Sequence, residues 1–280
     1  WARVWPLSRL IKSMGAYFIR RKSRGLLYRK VLARYVQMAT QGGVTQAIFP
    51  EGGLTVNGKL MPLKMGLLSY VVDGFDPEGR DVVFIPVAIN YDRVLEDRVL
   101  LAAHQRGDRR FGAKISVTMR FIMHKIWQKA RGRYVRFGIA SVSFGVPLSL
   151  KSMDRDAPLE ALAAELKSRI EDVMPVLFVP VLAQVFLASS GPLTIPELNN
   201  AVRSAIPRKR GSMPKLWEQA LAEYITVARK NMLVRGLIAE SGEGWIAVQD
   251  ERPLLQFYAN SLDGLVSDSP PPSDAADAKS

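Results

Sequence analysis

The segment Phe49-Pro50-Glu51-Gly52-Gly53, followed by Gly58-Lys59, Pro62 and Lys64, groups the residue types that suit an anionic or hydroxyl-rich ligand. Glycine tolerates positive φ and lets a ligand approach the main chain, so a Glu-Gly-Gly turn can present backbone N–H groups to a phosphate. Glu51 can accept hydrogen bonds from substrate hydroxyls or orient neighbouring cations, and Lys59 and Lys64 add positive charge. The same residues also fit a plain turn after a strand. Arg20-Arg21 reads as an anion clamp at a strand end, or as a solvent-facing basic cluster running on through Lys22 and Arg24. A third segment, Ile85-Pro86-Val87-Ala88-Ile89-Asn90-Tyr91-Asp92, delivers polar residues at the end of an apolar run. Its Asn90, Tyr91 and Asp92 either line a site or cap the strand, with Asp92 in the first turn of the next helix.

Other chemistries are excluded by composition. The chain has no cysteine, so thiol nucleophiles, disulfides and cysteine metal sites are ruled out. Its two histidines, His104 and His124, lack the partner spacing of a zinc site, and no metal or cofactor is expected. His104 has Asp108 four positions on, with three residues between them. The net charge of +13 is concentrated locally: residues 1–50 hold ten Lys or Arg and no acid, and residues 106–136 hold ten against the single Asp108. Such stretches suit lipid headgroups, phosphorylated metabolites, coenzyme A or nucleic acid, or form a solvated basic face.

The elements that must position these residues follow from periodicity. Residues 16–19 and 46–49 read as short strands on either side of a helix that carries Leu27, Val31, Leu32, Tyr35 and Val36 at helical spacing. A helix is predicted over 63–72, a β-rich run over 82–90, and an alternating strand over 134–146. This pattern argues for an α/β layer with crossover helices. Past residue 150 the pattern becomes helical, with Leu159, Leu162, Leu166 and Ile170 on one stripe and Thr194 to Glu197 at capping-box spacing. A helix over 216–233, a tight hairpin at Gly242 and Gly244, and a last helix from about Asp250 complete the prediction. We divide the chain into residues 1–150, a helical region 151–265, and a tail 266–280 too poor in apolar residues to order itself. The apolar run 174–188 is too short to span a bilayer.

Taken in order, the three segments resemble the glycerolipid acyltransferases, in particular the bacterial glycerol-3-phosphate acyltransferase branch. Gly15-Ala16-Tyr17-Phe18-Ile19-Arg20-Arg21 looks like the second block of that family, and Phe49-Pro50-Glu51-Gly52-Gly53 with Gly58-Lys59 and Lys64 looks like the third. Residues 85–96 look like the fourth, and residues 251–261 are similar to the closing helix of the branch. The resemblance implies an acyltransferase-type mixed sheet with flanking helices, followed by a mainly helical region. It also implies a His-x4-Asp base in a first block. That block is absent from these residues and is expected upstream of Trp1, so the stretch in hand is expected to be inactive by itself.

The implied reaction moves a fatty acyl group from acyl-CoA or acyl carrier protein to the sn-1 hydroxyl of glycerol 3-phosphate. The implied substrate-binding residues are Arg20, Arg21, Glu51, Gly52, Gly53, Lys59 and Lys64, with Phe18, Pro86, Asn90 and Tyr91 lining the site. Where the family often has Arg-Ser-Arg after Gly-Gly, this chain has Leu54, Thr55 and Val56. Lysophosphatidate and dihydroxyacetone phosphate therefore stay open as acceptors. Peripheral attachment to an anionic membrane surface, on the cytoplasmic face of the cell membrane, is expected from the lipid product and from the basic N-terminus with Trp1 and Trp5. A reading of a different class is a winged-helix nucleic-acid binder built from residues 194–206, the helix after Met213 and the Gly242 hairpin. Most of the basic residues lie outside that region, so no nucleic acid is expected as a partner.

Overall fold

The computed structural model describes residues 7–16, 19, 25–107, 138–154, 157–206 and 215–263. The chain divides into two compact units: residues 1–48, 66–80 and 110–135 form one, and residues 49–65, 81–109 and 136–280 form the other.

The described part of the first unit is helical. It comprises α1 (Leu7–Ser13), α2 (Leu26–Gln41) and α3 (Met65–Asp73), whose first residue belongs to the other unit. Helix α2 follows the predicted spacing and buries Val36. The turn after α3 comes close to α2: the Gln41 side-chain amide donates to the Gly74 carbonyl at 3.2 Å, and a β-carbon on Gly74 would meet the Gln37 side chain at 2.5 Å. Of the two strands expected here, one is not formed and the other falls partly outside the described residues. Ala16 and Ile19 lie in no strand, with Tyr17 and Phe18 outside the described residues, and residues 46–49 run without a ladder partner. Apolar runs of four residues carry β-propensity, but a strand exists only where a second chain segment accepts its hydrogen bonds.

The second unit carries three two-stranded sheets among the described residues, all antiparallel, so the expected mixed sheet is not seen there. The predicted run 82–90 is split by Pro86 into β1 (Val83–Phe84) and β2 (Val87–Tyr91). Proline has no N–H for the ladder, and the interruption falls at that residue. β3 (Ala140–Phe144) pairs with β2 from Val87 opposite Phe144 to Tyr91 opposite Ala140, and β4 (Leu148–Ser149) pairs with β1. Residues 85 and 86 on one side face 145, 146 and 147 on the other, so one extra residue bulges between the two ladders. The Gly145 N–H donates to the Pro86 carbonyl at 2.8 Å across this break. On β2, Ala88 and Asn90 point inward, while Val87, Ile89 and Tyr91 are exposed.

The core of this unit lies among helices. α4 (Asp97–Gln105), α5 (Leu159–Asp172), α6 (Phe178–Ala188), α7 (Ile195–Ala205), α8 (Lys215–Val234) and α9 (Arg252–Ala259) follow in order, with the hairpin β5 (Ile238–Ser241) and β6 (Gly244–Ala247) between α8 and α9. α6 is the centre. It buries residues on every side, including Phe178, Leu182, Ala183 and Phe186, and it touches α7, α8 and α9. Pro180 sits in its first turn, where no intrahelical donor is lost. Phe178 stacks on Tyr224 of α8 at 5.4 Å.

Helix α7 opens with the predicted capping box. Glu197 accepts the Thr194 backbone N–H at 2.8 Å and its hydroxyl at 2.7 Å. The hairpin also forms as predicted, with Gly242 at φ +59° in the turn. Leu193 bridges Trp245 of β6, so α6, this bridge, α7, α8 and the hairpin have the order of a winged-helix unit. Among the described residues no helix is long and apolar enough to cross a membrane.

Candidate functional site

Residues 49–65 form the loop that carries the predicted glycines and lysines. Its base is closed by two hydrogen bonds: the Lys64 N–H donates to the Pro50 carbonyl at 2.8 Å, and the Met61 N–H donates to Glu51 Oε2 at 3.0 Å. Burial pushes the Glu51 carboxyl up from its ordinary value, and the Met61 N–H works against that shift. Only one of its oxygens has this backbone donor, and the carboxylate stays half-exposed at the loop base.

The glycines do different things. Gly52 has φ +64°, its N–H donates to the Phe49 carbonyl at 3.0 Å, and a β-carbon there would lie 2.8 Å from Lys64 Cδ and 3.2 Å from Lys64 Nζ. The lysine side chain therefore runs over the Gly52 backbone, which only glycine permits at that φ. Gly53 is exposed, with open space where a side chain would be. The structure thus brings Glu51, Gly52, Gly53 and Lys64 together. A half-buried carboxylate, a lysine laid over the neighbouring glycine and an open glycine backbone in one loop can bind a hydroxyl next to an anion.

The remaining expected residues are placed differently. The Lys59 ammonium pairs with the Asp263 carboxylate at 2.6 Å and is engaged away from Lys64's position over Gly52. Asn90 is buried and committed internally: its amide donates to the Pro175 carbonyl at 2.8 Å, and its Oδ1 accepts the Tyr91 N–H at 2.8 Å. Pro86 is buried at the ladder break, while Tyr91 lies on the open face of β2. Phe18, Arg20 and Arg21 lie outside the described residues, as do Trp1, Trp5 and His124. His104 is exposed in the last turn of α4.

Asp92 does not open the next helix, since α4 begins at Asp97. Its buried carboxylate instead accepts the Ile139 N–H at 3.0 Å and the Val179 N–H at 3.1 Å, capping α6 from just beyond the end of β2. Burial raises the Asp92 carboxyl above its ordinary range, and these two donors oppose the rise.

Sequence reasoning missed a second buried network. The Asp97 carboxylate accepts hydrogen bonds from the Arg235 guanidinium and the Tyr258 hydroxyl, and Tyr258 accepts the Val94 N–H at 3.1 Å. It ties α4, α8 and α9 together. No short-range pattern announces it, because its members are separated by 138 and 161 residues in sequence. Asn260 was also missed as a functional candidate. It is buried after α9, where its amide donates to the Asn57 carbonyl at 2.7 Å. A shallow polar depression lined by Leu60, Glu171, Met174, Asn260, Ser261 and Asp263 lies beside it. Among the described residues no group of histidine, aspartate and glutamate has the arrangement of a metal site.

Comparison with known proteins gives three findings. The family model described as Acyltransferase matches residues 1–90. A protein named as an acyltransferase, plsB1 of Mycobacterium tuberculosis (strain H37Rv), is 27% identical over 94% of this chain, which spans 44% of that relative's length. The glycerol-3-phosphate acyltransferases of Pseudomonas syringae pv. syringae (strain B728a) and Pseudoalteromonas atlantica are 34% and 27% identical over 53% and 55% of this chain, covering 17% and 18% of their own lengths.

Proposed function

We infer that this chain, a member of the glycerolipid acyltransferase family, supplies the acceptor-binding part of an enzyme that esterifies the sn-1 hydroxyl of glycerol 3-phosphate with a fatty acyl group. The observation that carries the reading is the loop base, where the Glu51 carboxylate, the open Gly53 backbone and the Lys64 side chain over Gly52 share one loop within the residues that the Acyltransferase family model matches. In this reading Lys64 attracts the acceptor phosphate, with Arg20 and Arg21 as further cations. Glu51 accepts from an acceptor hydroxyl.

The chemistry is a direct transfer from acyl-CoA or acyl carrier protein. A base takes the proton of the sn-1 hydroxyl, its oxygen attacks the thioester carbonyl, and the tetrahedral adduct collapses to ester and thiolate, which regains the proton. A His-x4-Asp pair is the base that the family resemblance implies, and these 280 residues contain no such pair. The role we assign to them is to bind and orient. The Gly52 N–H is occupied by the Phe49 carbonyl, so the Gly53 N–H is the backbone donor we assign to the developing oxyanion. No metal or bound cofactor enters the scheme; the acyl donor is a co-substrate.

Attachment is proposed to be peripheral, at the cytoplasmic face of the cell membrane. Supporting it are the basic N-terminal stretch and the exposed Leu10, Leu27 and Val31 on α1 and α2. The test of the activity is acyl transfer by the native protein with glycerol 3-phosphate, dihydroxyacetone phosphate and lysophosphatidate as competing acceptors. The reading expects the highest kcat/KM for glycerol 3-phosphate, with Glu51→Ala and Arg20→Ala both sharply reducing acceptor use. Unchanged kinetics in both variants contradict it, and preference for another acceptor reassigns the substrate within the family.

One observation favours a second reading, namely the winged-helix order of α6, Leu193, α7, α8 and the hairpin. The exposed positions of α8 argue against nucleic acid. Between residues 221 and 234, where exposure is described, Ala222, Glu223, Thr226, Val227, Lys230 and Val234 offer one cation against one anion to a phosphate backbone. Salt-sensitive DNA binding lost on changing Lys230 would revive it.

A further inference from the structure

The loop of residues 49–65 is held at its base and at its tip by different parts of the chain. The base bonds, Glu51 to Met61 and Pro50 to Lys64, close the loop. The tip is internally braced: the Thr55 hydroxyl donates to the Lys59 carbonyl at 2.9 Å, and the Lys59 N–H donates to Asn57 Oδ1 at 3.1 Å. Residues 55–59 are therefore braced as one piece.

That piece is seated on the end of α9. A β-carbon on Gly58, at φ +83°, would lie 1.8 Å from the Phe257 carbonyl oxygen, so the two backbones approach as closely as only glycine allows. Asn260, 203 residues along the chain from Asn57, donates to its carbonyl, and the Lys59 to Asp263 ion pair closes the same contact from outside. The seat is rigid. Leu254, Leu255, Phe257 and Tyr258 are buried in the helical core, and Asn260 Oδ1 is fixed by the Gln256 amide at 2.7 Å.

We propose that the end of α9 is a positioning clasp for the acceptor loop: Asn260 and the Phe257 carbonyl, acting through Asn57 and Gly58, set the tilt at which Glu51, Gly53 and Lys64 meet the acceptor. The proposal rests on the acceptor reading above and adds to it residues that touch no substrate. Lys59 belongs to the clasp, not to the phosphate contact.

The test uses the 280-residue chain and the variants Asn260→Ala, Asp263→Ala and Gly58→Ala, against Val202→Ala as a core control remote from the loop. Hydrogen exchange at the Met61 amide reads the loop base directly, and titration with glycerol 3-phosphate reads its consequence. The clasp expects Asn260→Ala to speed Met61 exchange and to raise the Kd by about tenfold, the equivalent of one hydrogen bond. Val202→Ala, matched for loss of Tm, should leave both unchanged. Asp263→Ala, an exposed change that does not threaten folding, should move both in the same direction by less. Unchanged Met61 exchange in Asn260→Ala and Asp263→Ala overturns the clasp, as does faster exchange with unaltered affinity. If the unaltered chain binds no glycerol 3-phosphate, the acceptor reading fails, and the exchange arm still decides whether α9 holds the loop.

Discussion

The Glu51 carboxylate accepts the backbone N–H of Met61 at 3.0 Å, ten residues further on, and so closes the loop whose glycines lie beside it. In the proposed site the same side chain also accepts from the acceptor, which couples local order to binding. Its protonation state then matters to each.

Burial holds the Glu51 carboxyl above its ordinary value of 4.5. The folded state therefore binds this proton more tightly than the unfolded chain. Its contribution to stability is complete below pH 4.5 and is lost as pH rises through the folded-state pKa. Carbon-detected titration should place the Glu51 midpoint above 4.5, and Glu51→Gln should flatten the fall in stability over that window. A midpoint at or below 4.5 contradicts the burial argument.

The contrast with what was legible in the sequence is instructive at this loop. Glu51, Gly52, Gly53 and Lys64 share one loop, with Lys64 packed over Gly52, because all four lie within one turn-forming segment. Lys59 was grouped with them on charge, yet it pairs with Asp263, a partner no local pattern identifies. The helices over 26–41 and 215–234 and the Gly242 hairpin followed from periodicity and turn chemistry. The strand expected at 46–49 did not form, since a strand depends on a partner that a single apolar run does not specify, and the one expected at 16–19 falls partly outside the described residues.

Asp92 shows the same limit from the other side. Read locally it begins a helix, and in the structure it caps one that starts more than eighty residues later, through Val179. Asp92→Ala orphans the Ile139 and Val179 donors, at a cost of about 1–3 kcal/mol for each that stays dry. Urea unfolding should show the loss. Asn, with one acceptor oxygen, should recover part of it, and a neutral Asp92→Ala would rule out the capping role.

Arg235 and Tyr258 share the Asp97 carboxylate inside the helical core. Removing the guanidinium with Arg235→Ala takes away the cation bonded to that buried charge and leaves only the nearby Arg93 to offset it, which costs up to about 3–5 kcal/mol. Tyr258→Phe is milder, because Arg235 remains and chiefly the Val94 N–H is orphaned, at about 1–3 kcal/mol. Equal losses for the two variants, measured by denaturant unfolding, would show that the ion pair carries no more than the hydroxyl.

The proposed membrane attachment makes a prediction about salt. The chain should co-sediment with vesicles containing anionic lipid at low ionic strength and be released as salt screens the basic stretch. Val31→Glu, on the exposed stripe of α2, should weaken the association. Retention in the supernatant at low salt contradicts peripheral attachment.

The most direct test of the central claim is calorimetric titration of glycerol 3-phosphate into the 280-residue chain and into its Glu51→Ala and Lys64→Ala variants. Saturable binding by the unaltered chain, weakened at least tenfold, about 1.4 kcal/mol, in each variant, is the predicted result. Binding that is absent from the unaltered chain, or unchanged in both variants, would show that the loop at residues 49–65 is not the acceptor site.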